Sequence, residues 1–182
     1  MKPFIVAINA ISGGGKTTIT NELQKRLENS KALYFDDRNY DSDSEIDDIC
    51  KWVEDGADVN QFNLERLADD IEKLKQENLD FIIMDYPFGY RHKQIAPYIN
   101  HSIFIDTPLD VAMARRILRD YDNSTAINIF DDMNQYLERG RNAYLFKLDD
   151  VKRKADILVD GSLTVDKIVE YIIEKIKVHK EN

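Results

Sequence analysis

The sequence predicts an α/β protein with a doubly wound parallel sheet of about five strands and helices on its faces. Two observations predict it: short apolar runs alternate with amphipathic helices along the chain, and these runs are almost continuously β-branched or aromatic. A strand that is apolar along its whole length is expected where both faces of the sheet are covered. The candidate strands are Phe4–Asn9, Ala32–Phe35, Phe81–Met84, Ser102–Ile105 and Asp156–Val159.

Amphipathic helices are predicted between the candidate strands. The first extends from about Gly15 to Glu28, and the third has a clear start signal, with Thr107 as N-cap and Pro108 at the first helical position. A long fourth helix carries apolar residues at steps of three and four between Phe130 and Val151. This alternation is typical of a parallel sheet with crossover helices on both sides.

Composition and charge limit the classes of partner. The 182 residues, 43% of them apolar, suit a single domain over 1–182, and no apolar run approaches the roughly 20 residues that cross a bilayer. The net charge of −9 argues against a nucleic-acid polymer or a membrane as partner and favours a small-molecule substrate. The single cysteine, Cys50, allows no internal disulfide and indicates the reducing cytoplasm. A homo-oligomer is compatible with the sequence, which does not decide it.

The segment 36–62 is predicted to be an acidic flap exposed to solvent. Ten acidic and two basic residues lie between Asp36 and Asp58, without a steady period. Aromatic side chains in and beyond this segment are predicted to overhang the carboxyl edge of the sheet and to hold a planar base, with core packing as the alternative for each. These candidate substrate contacts are Trp52, Phe62, Tyr86, Phe88 and Tyr90.

The most specific motif is the run AISGGGKTT, residues 10–18, between the first strand and the first helix. Glycines let backbone N–H groups turn toward a phosphate, Lys16 reaches the terminal phosphates, and Thr17 offers a hydroxyl to Mg²⁺. The alternative is a glycine-rich turn that precedes Lys-Thr by chance, which the strand before it and the helix after it disfavour. The predicted nucleotide-binding residues are Ser12, Gly13, Gly14, Gly15, Lys16, Thr17 and Thr18.

Acidic residues follow two of the candidate strands. Asp85 ends the third strand and is predicted to hold Mg²⁺ together with Thr17, although it could simply end the strand. Asp36 and Asp37 end the second strand, so they project from the same carboxyl edge as the phosphate loop. Two adjacent carboxylates of an extended chain point in different directions, so one of them is predicted to act on an acceptor hydroxyl. The alternative is that both cap the turn into the flap.

Arginines are concentrated near the end of the third helix, in a predicted lid region at about 112–128. Their spacing places two of them on one face with the third beside them, where they could neutralise charge on a transferred phosphoryl group. The alternative is a solvated helix face paired with nearby aspartates. The candidates are Arg115, Arg116 and Arg119, and Arg139 and Arg141 on the next helix are a weaker second set.

Together these segments resemble the uridine kinase and phosphoribulokinase family of P-loop kinases. The matching segments are the loop AISGGGKTT, the strand end FDD, the run IFIDT followed by RRILRD, and the late strand ADILVDG. The resemblance implies a P-loop NTPase fold of the nucleoside kinase type and ATP as phosphate donor. It also implies Lys16 and Thr17 on phosphate and Mg²⁺, Asp36 as the base toward a sugar 5′-hydroxyl, and the three arginines in a lid helix.

The sequence departs from this family in five places. Ala10 stands where the strict loop motif has glycine, and Asp85 where the family usually has glutamate. Ala112 stands where family members often have a further arginine, and YDNSTAIN replaces the Arg-Gly-Arg that usually follows Asp120. The segment before Leu64 also differs from the usual base- and ribose-binding stretch. ATP use is therefore better supported than uridine as the acceptor.

The sequence as a whole predicts Mg-ATP-dependent phosphoryl transfer to a hydroxyl of a small molecule, the 5′-hydroxyl of a nucleoside such as uridine. Two alternatives stay open. The acceptor could be another riboside, a sugar or a nucleotide, or the protein could be a nucleotide-binding ATPase that switches conformation without being a kinase.

Overall fold

A parallel sheet forms the centre of the protein. The computed structural model describes residues 2–36, 40, 44 and 46–180, and within them five strands pair in the order β2-β3-β1-β4-β5. Every pair of neighbouring strands is parallel. The strands are β1 (Phe4–Asn9), β2 (Ser30–Tyr34), β3 (Phe81–Asp85), β4 (His101–Asp106) and β5 (Ile157–Asp160).

The order of the strands confirms the predicted doubly wound sheet. β1 lies in the middle; β2 and β3 lie on one side of it, and β4 and β5 on the other. In a sheet wound in this way, ligands bind beyond the carboxyl ends of the strands at the point where the winding reverses. Here that point is the end of β1, where the glycine-rich run begins.

Helices connect the strands and cover both faces of the sheet. None in the described part of the chain is both long and apolar enough to cross a membrane. The helices are α1 (Lys16–Arg26), α2 (Ile49–Glu54), α3 (Glu65–Lys75), α4 (Leu109–Asp120), α5 (Ala126–Gln135), α6 (Arg141–Phe146) and α7 (Val165–Lys180).

Alternate residues of β1 contribute to two separate hydrophobic layers. Ile5 and Ala7 pack in the layer that includes α3, whereas Val6 and Ile8 pack in the layer that includes α1 and α7. All four side chains are buried, and burying a large aliphatic side chain stabilises the fold by roughly 1.5–3 kcal/mol. The two layers hold the end of β1, and with it the glycine-rich run, between fixed surfaces.

The start of α4 differs from the prediction. The first helical residue is Leu109, preceded by Pro108, and no side chain caps the helix. The hydroxyl of Thr107 instead donates to the carbonyl oxygen of Gly14, at 2.8 Å. The prediction of Thr107 as N-cap is therefore wrong, because a distant carbonyl competes successfully for its hydroxyl.

The predicted long fourth helix is interrupted by wider turns. Tyr136–Gly140 and Lys147–Val151 have π-helical hydrogen bonding, on either side of α6. Such a turn contains more residues than an α-helical one, so it shifts the helical phase. Phe130 and Leu137 are 68% and 71% exposed, although the periodicity places them on the same stripe as the buried Val151.

The described part of the segment 36–62 contributes to the core. Trp52 of α2 and Phe62, which follows a short 3₁₀ turn, are both buried. The indole N–H of Trp52 donates to the carbonyl oxygen of Asp58 at 3.1 Å. The segment thus differs from an exposed flap, since its aromatic residues hold it against the body of the protein.

Candidate active site

The glycine-rich run forms a cradle at the end of β1. Gly13 and Gly15 have φ angles of 76° and 97°, in the region that favours glycine. A Cβ at Gly13 would overlap the carbonyl oxygen of Ala112 in α4, whereas a Cβ at Gly15 would meet no atom within 4 Å. Packing against α4 therefore requires Gly13, and Gly15 borders open space. Ala112 is itself fully buried, which explains why this position does not carry an arginine.

Residues that directly follow β4 and β5 pack against the cradle and support it. Thr107, which follows β4, is buried and donates its hydroxyl to the carbonyl oxygen of Gly14. A Cβ at Gly161, which follows β5, would overlap the side chain of Thr107. The sequence analysis missed both supporting residues because neither lies near residues 10–18 in the chain.

Two carboxylates meet the functional groups at the start of α1. The ammonium of Lys16 contacts the carboxylate of Asp85, and it lies 3.3 Å from a carboxylate oxygen of Asp36. The hydroxyl of Thr17 donates to the other oxygen of Asp85 at 2.6 Å. The Asp85 side chain is only 3% exposed, whereas that of Asp36 is 74% exposed. One carboxylate is thus enclosed beside the cradle and the other is open to a second ligand.

The register of the sheet explains why these carboxylates lie close together. Tyr34, at the end of β2, is the partner of Asp85 at the end of β3. The N–H of Phe35 donates to the carbonyl oxygen of Asp85 at 3.0 Å, which extends the pairing by one residue. Asp36 therefore leaves the sheet beside Asp85. Asp37, the predicted partner of Asp36, lies outside the described residues.

A cavity of about 1140 Å³ joins the cradle to an aromatic pocket. The whole predicted nucleotide-binding run lines it, as does Asp36. At its other end lies what we call the aromatic end, formed by Trp52, Phe62, Phe88 and Phe146. Their rings pack edge to face or tilted, with centroid distances of 4.8 to 6.5 Å. The volume exceeds the roughly 300–1,000 Å³ of a pocket for one ligand of drug size, so two ligands could share it.

Two of the predicted substrate contacts lie away from this cavity wall. Tyr86 is buried in the core against Phe35 and Phe88. The hydroxyl of Tyr90 donates to a carboxylate oxygen of Asp156 at 2.6 Å, near the start of β5. Burial, followed by the Asp156 carboxylate, raises the pKa of that hydroxyl. The structure therefore brings Trp52 and Phe62 to the cavity but not Tyr86 or Tyr90.

The three arginines of α4 have different surroundings. Arg115 and Arg119 line the cavity, and Arg119 also pairs with the adjacent Asp120 at 2.6 Å. The guanidinium of Arg116 pairs with Asp132 of α5 and borders a separate small pocket. Of the three arginines, Arg116 thus forms the ion pair that joins α4 to α5. In the second set, Arg139 pairs with Asp48 and Glu54 beside α2, whereas Arg141 is exposed.

Sequence reasoning missed one cation that the structure places in the cavity. Lys147, in the wider turn after α6, lines the cavity together with Lys16. Burial, followed by the ammonium of Lys16, lowers the pKa of Lys147 to about 8, and the carboxylates of Asp36 and Asp85 oppose this shift. No motif contains this lysine, and the periodicity across the wider turns does not predict which way it faces.

The donor set beside the cradle fits a magnesium ion. Thr17 and Asp85 present hard oxygens 2.6 Å apart at the start of α1, and Mg²⁺ binds to one or two such protein groups plus phosphate oxygens and water. Elsewhere in the described residues no group of three or more His, Cys, Asp or Glu side chains could hold a metal.

Comparison with known proteins identifies relatives of the chain. No protein-family model matches it. The uridine kinase of Leuconostoc citreum is 27% identical over 187 residues, which cover 87% of this chain and 88% of that protein. The uridine kinase of Clostridium botulinum strain Langeland is 26% identical over 184 residues, with the same coverage. The chain is thus similar to curated uridine kinases along most of its length. The resemblance drawn from its motifs is confirmed, and the relatives support a phosphotransferase enzyme.

Solved structures show the same fold. A sugar kinase from Janibacter sp. HTCC2649 aligns with a TM-score of 0.62 at 14% identity, covering 98% of this chain and 97% of that one. A chain described as a possible uridine kinase from Bacillus stearothermophilus aligns with a TM-score of 0.56 at 16% identity, covering 88% and 90%. At these identities the likeness establishes the fold of the P-loop kinases.

Proposed function

We propose that the protein transfers the terminal phosphoryl group of Mg-ATP to a hydroxyl of a small molecule, the 5′-hydroxyl of a nucleoside such as uridine. The observation that carries this proposal is the position of Asp36. It stands 3.3 Å from Lys16, in the wall of one cavity that has the phosphate cradle at one end and aromatic rings at the other. A carboxylate at that position can meet an acceptor hydroxyl that approaches the terminal phosphate.

Each residue has a role that follows from its place in the cavity. Asp36 accepts the proton of the acceptor hydroxyl as its oxygen attacks the terminal phosphorus and the bond to the leaving nucleoside diphosphate breaks. Lys16 exchanges its contacts with the two aspartates for contacts with phosphate oxygens. Arg115 and Arg119 stabilise the charge that spreads over the transferred group.

The aromatic end supports a planar acceptor. Trp52 packs edge to face against Phe62, and Phe62 packs in a tilted arrangement against Phe88. These rings form an apolar wall that a nucleobase can contact, and such contacts are worth about 0.5–1.5 kcal/mol per ring pair. The two named relatives are both uridine kinases, which favours a nucleoside over a sugar. The departures from the family pattern before Leu64 keep other ribosides among the candidates.

Thr17 and Asp85 would hold magnesium in the proposed enzyme. The ion would neutralise charge on the phosphates of the donor and fix their orientation.

We also propose that the chain works as one kinase domain in the cytoplasm, with its single cysteine reduced.

A screen of acceptors tests the proposed function. ADP release is measured with Mg-ATP and, in turn, uridine, cytidine, other ribosides, free sugars and nucleoside monophosphates. We expect release that depends on a nucleoside and on Mg²⁺. Release that is equal with and without any acceptor would instead identify an ATPase.

Asp36→Asn provides the matched variant for this screen. The amide has the shape of the carboxylate but cannot accept the proton, so transfer should fall by about 10²–10⁴-fold while binding of ATP is kept. The same loss in Asp37→Asn with little effect in Asp36→Asn would move the role to the neighbouring residue. Wild-type transfer by both variants would remove the general base from the proposal.

A further inference from the structure

Lys147 faces the region where the two proposed substrates would meet. It lines the cavity with Lys16 and Asp36, and its charge interacts with both of them and with Asp85. These three groups come from α1, from the segment after β2 and from β3, whereas Lys147 follows α6. The lysine therefore lies in the wall of the same cavity as Lys16 and Asp36.

Contacts made by residues before and after Lys147 in the chain hold this lysine at the cavity wall. The ring of Phe146 packs edge to face against Trp52, with centroids 5.7 Å apart, and the guanidinium of Arg91 lies over the Phe146 ring, 5.5 Å from its centroid. Arg91 also pairs with Asp150 in the same wider turn, at 2.6 Å. Residues just before and just after the lysine are thus anchored, so its direction is a property of the fold.

The charge of Lys147 has no direct partner among the described residues. Its neighbours along the chain do: Lys152 pairs with Asp106, Arg153 with Asp149 and Lys154 with Asp150. A lysine on a solvated face would extend into water, but Lys147 is half-buried in a cavity wall. A half-buried ammonium without a carboxylate partner is costly unless an anion binds to it.

We propose that Lys147 is a further catalytic residue, which contacts the terminal phosphoryl group of the bound triphosphate together with Lys16. This inference rests on the proposed function. The chain lacks the arginines that usually follow Asp120 in the resembled family, and Arg116 is occupied by Asp132. Lys147 is a further positive charge in the cavity besides Lys16, Arg115 and Arg119.

The depressed pKa of Lys147 agrees with this role and provides a signature. At pH 8 a substantial fraction of the free protein has this amine uncharged, and a bound phosphate would restore its charge. Binding of a triphosphate should therefore be accompanied by proton uptake at Lys147. The other charged groups that line the cavity around it are Lys16, Asp36, Arg115 and Arg119, with Asp85 adjoining them.

Calorimetric titration with Mg²⁺ and either AMP-PNP or ADP tests the proposal without an acceptor. We expect Lys147→Gln to lose about 10–100-fold in affinity for the triphosphate analogue, the effect of a hydrogen bond to a charged group, with ADP binding changed by less than about threefold. The matched control is Arg153→Gln, which removes one positive charge from an exposed site near the same turn and should change neither affinity. Circular dichroism checks that each variant is folded.

Proton uptake separates contact from a structural role. Titrations at pH 8 in two buffers of different ionisation enthalpy give the protons taken up per triphosphate bound. The wild type should take up roughly half a proton more than Lys147→Arg, because a group titrating near pH 8 is about half charged there and arginine does not titrate. Lys147→Arg should nevertheless keep most of the preference for the triphosphate.

Each remaining outcome contradicts the proposal in a distinct way. If a folded Lys147→Gln variant keeps the wild-type preference for the triphosphate analogue over ADP, the proposed role of Lys147 is wrong. The proposed function of the protein is not affected by that outcome. Unchanged nucleotide binding with a raised KM for the acceptor would place the lysine on the acceptor instead. If the wild-type protein itself binds neither nucleotide, the proposed function fails and this inference fails with it.

Discussion

At the phosphate-loop end of the cavity the wall is one continuous run of backbone, Ala10–Ile19, whereas the aromatic end is assembled from side chains of separate segments. The first end offers N–H groups, a lysine and a hydroxyl at the start of a helix. The second offers the rings of Trp52, Phe62, Phe88 and Phe146, which come from α2, from a loop, from the segment after β3 and from α6.

This difference shows how the two kinds of recognition depend on the chain. A phosphate is the same in every nucleotide, so a short local motif can bind it through backbone groups. A base or a sugar is recognised by the shape of a pocket, which depends on distant segments packing together. We therefore expect changes at the first end to reduce the rate for every acceptor, and changes at the second to alter which acceptor is used.

The largest effect is expected for Lys16→Ala. Loss of this ammonium removes about 3–4 kcal/mol of stabilisation of the transferred charge, which lowers kcat by roughly 10²–10³-fold with every acceptor. Steady-state rates with saturating ATP measure it. The control is Lys31→Ala, which removes an exposed lysine that pairs with Glu77 on the far side of the protein from the cavity. Wild-type turnover by a folded Lys16→Ala variant would show that the loop is not where the chemistry occurs.

The arginines of α4 are expected to differ from one another. Arg115 lines the cavity, is exposed and has no ion-pair partner among the described residues, so Arg115→Ala should lower kcat by about 10–100-fold. Arg116 is held by Asp132, so Arg116→Ala should chiefly lower the melting temperature. Rates and thermal unfolding of the two variants are compared directly. A larger loss of kcat in Arg116→Ala would mean that α4 and α5 separate when substrates bind.

A smaller and more selective effect is expected for Phe62→Leu at the aromatic end. Replacing one ring of the cluster should raise the KM of the nucleoside by about 2–10-fold, the value of one aromatic contact, and leave the KM of ATP unchanged. Phe4→Leu is the control, since Phe4 packs against Phe81 and His101 at the opposite edge of the sheet. Equal changes in both KM values would contradict the separation of the two ends.

The smallest effect on activity is expected for Thr107→Val, which tests the support beneath the loop. Valine keeps the shape but leaves the carbonyl oxygen of Gly14 without its donor, at a cost of about 1–3 kcal/mol in the free energy of unfolding. The KM of ATP should rise a few-fold because the loop is less well fixed. Thr125→Val removes a hydroxyl that caps α5 and should leave the KM of ATP unchanged. If both variants behave alike, the Thr107 contact stabilises the fold but does not tune the loop.

The phosphate-loop run and the order of the layers could be predicted from the sequence because their signals are local. Continuous apolar runs predicted β1 with its observed bounds and the other strands to within two residues at either end. The spacing of glycines, lysine and threonine predicted a glycine-rich turn between a strand and a helix, and β1 and α1 flank such a turn. That this turn binds phosphate stays a prediction. Each of these patterns is complete within about ten residues.

Only the tertiary structure decided where isolated side chains point. Thr107 reads as a helix cap, but its hydroxyl finds the Gly14 carbonyl of a distant loop. Tyr90 reads as a substrate contact, but Asp156 holds it elsewhere. Arg116 is taken by Asp132, and the wider turns on either side of α6 shift the helical phase so that Lys147 enters the cavity. Thr107, Tyr90 and Arg116 each pair with a residue from another element of the fold, which the local sequence pattern does not reveal. The direction of Lys147 depends on the width of the neighbouring turns, which the periodicity does not reveal either. The position of each of these side chains is therefore decided only when the segments pack together.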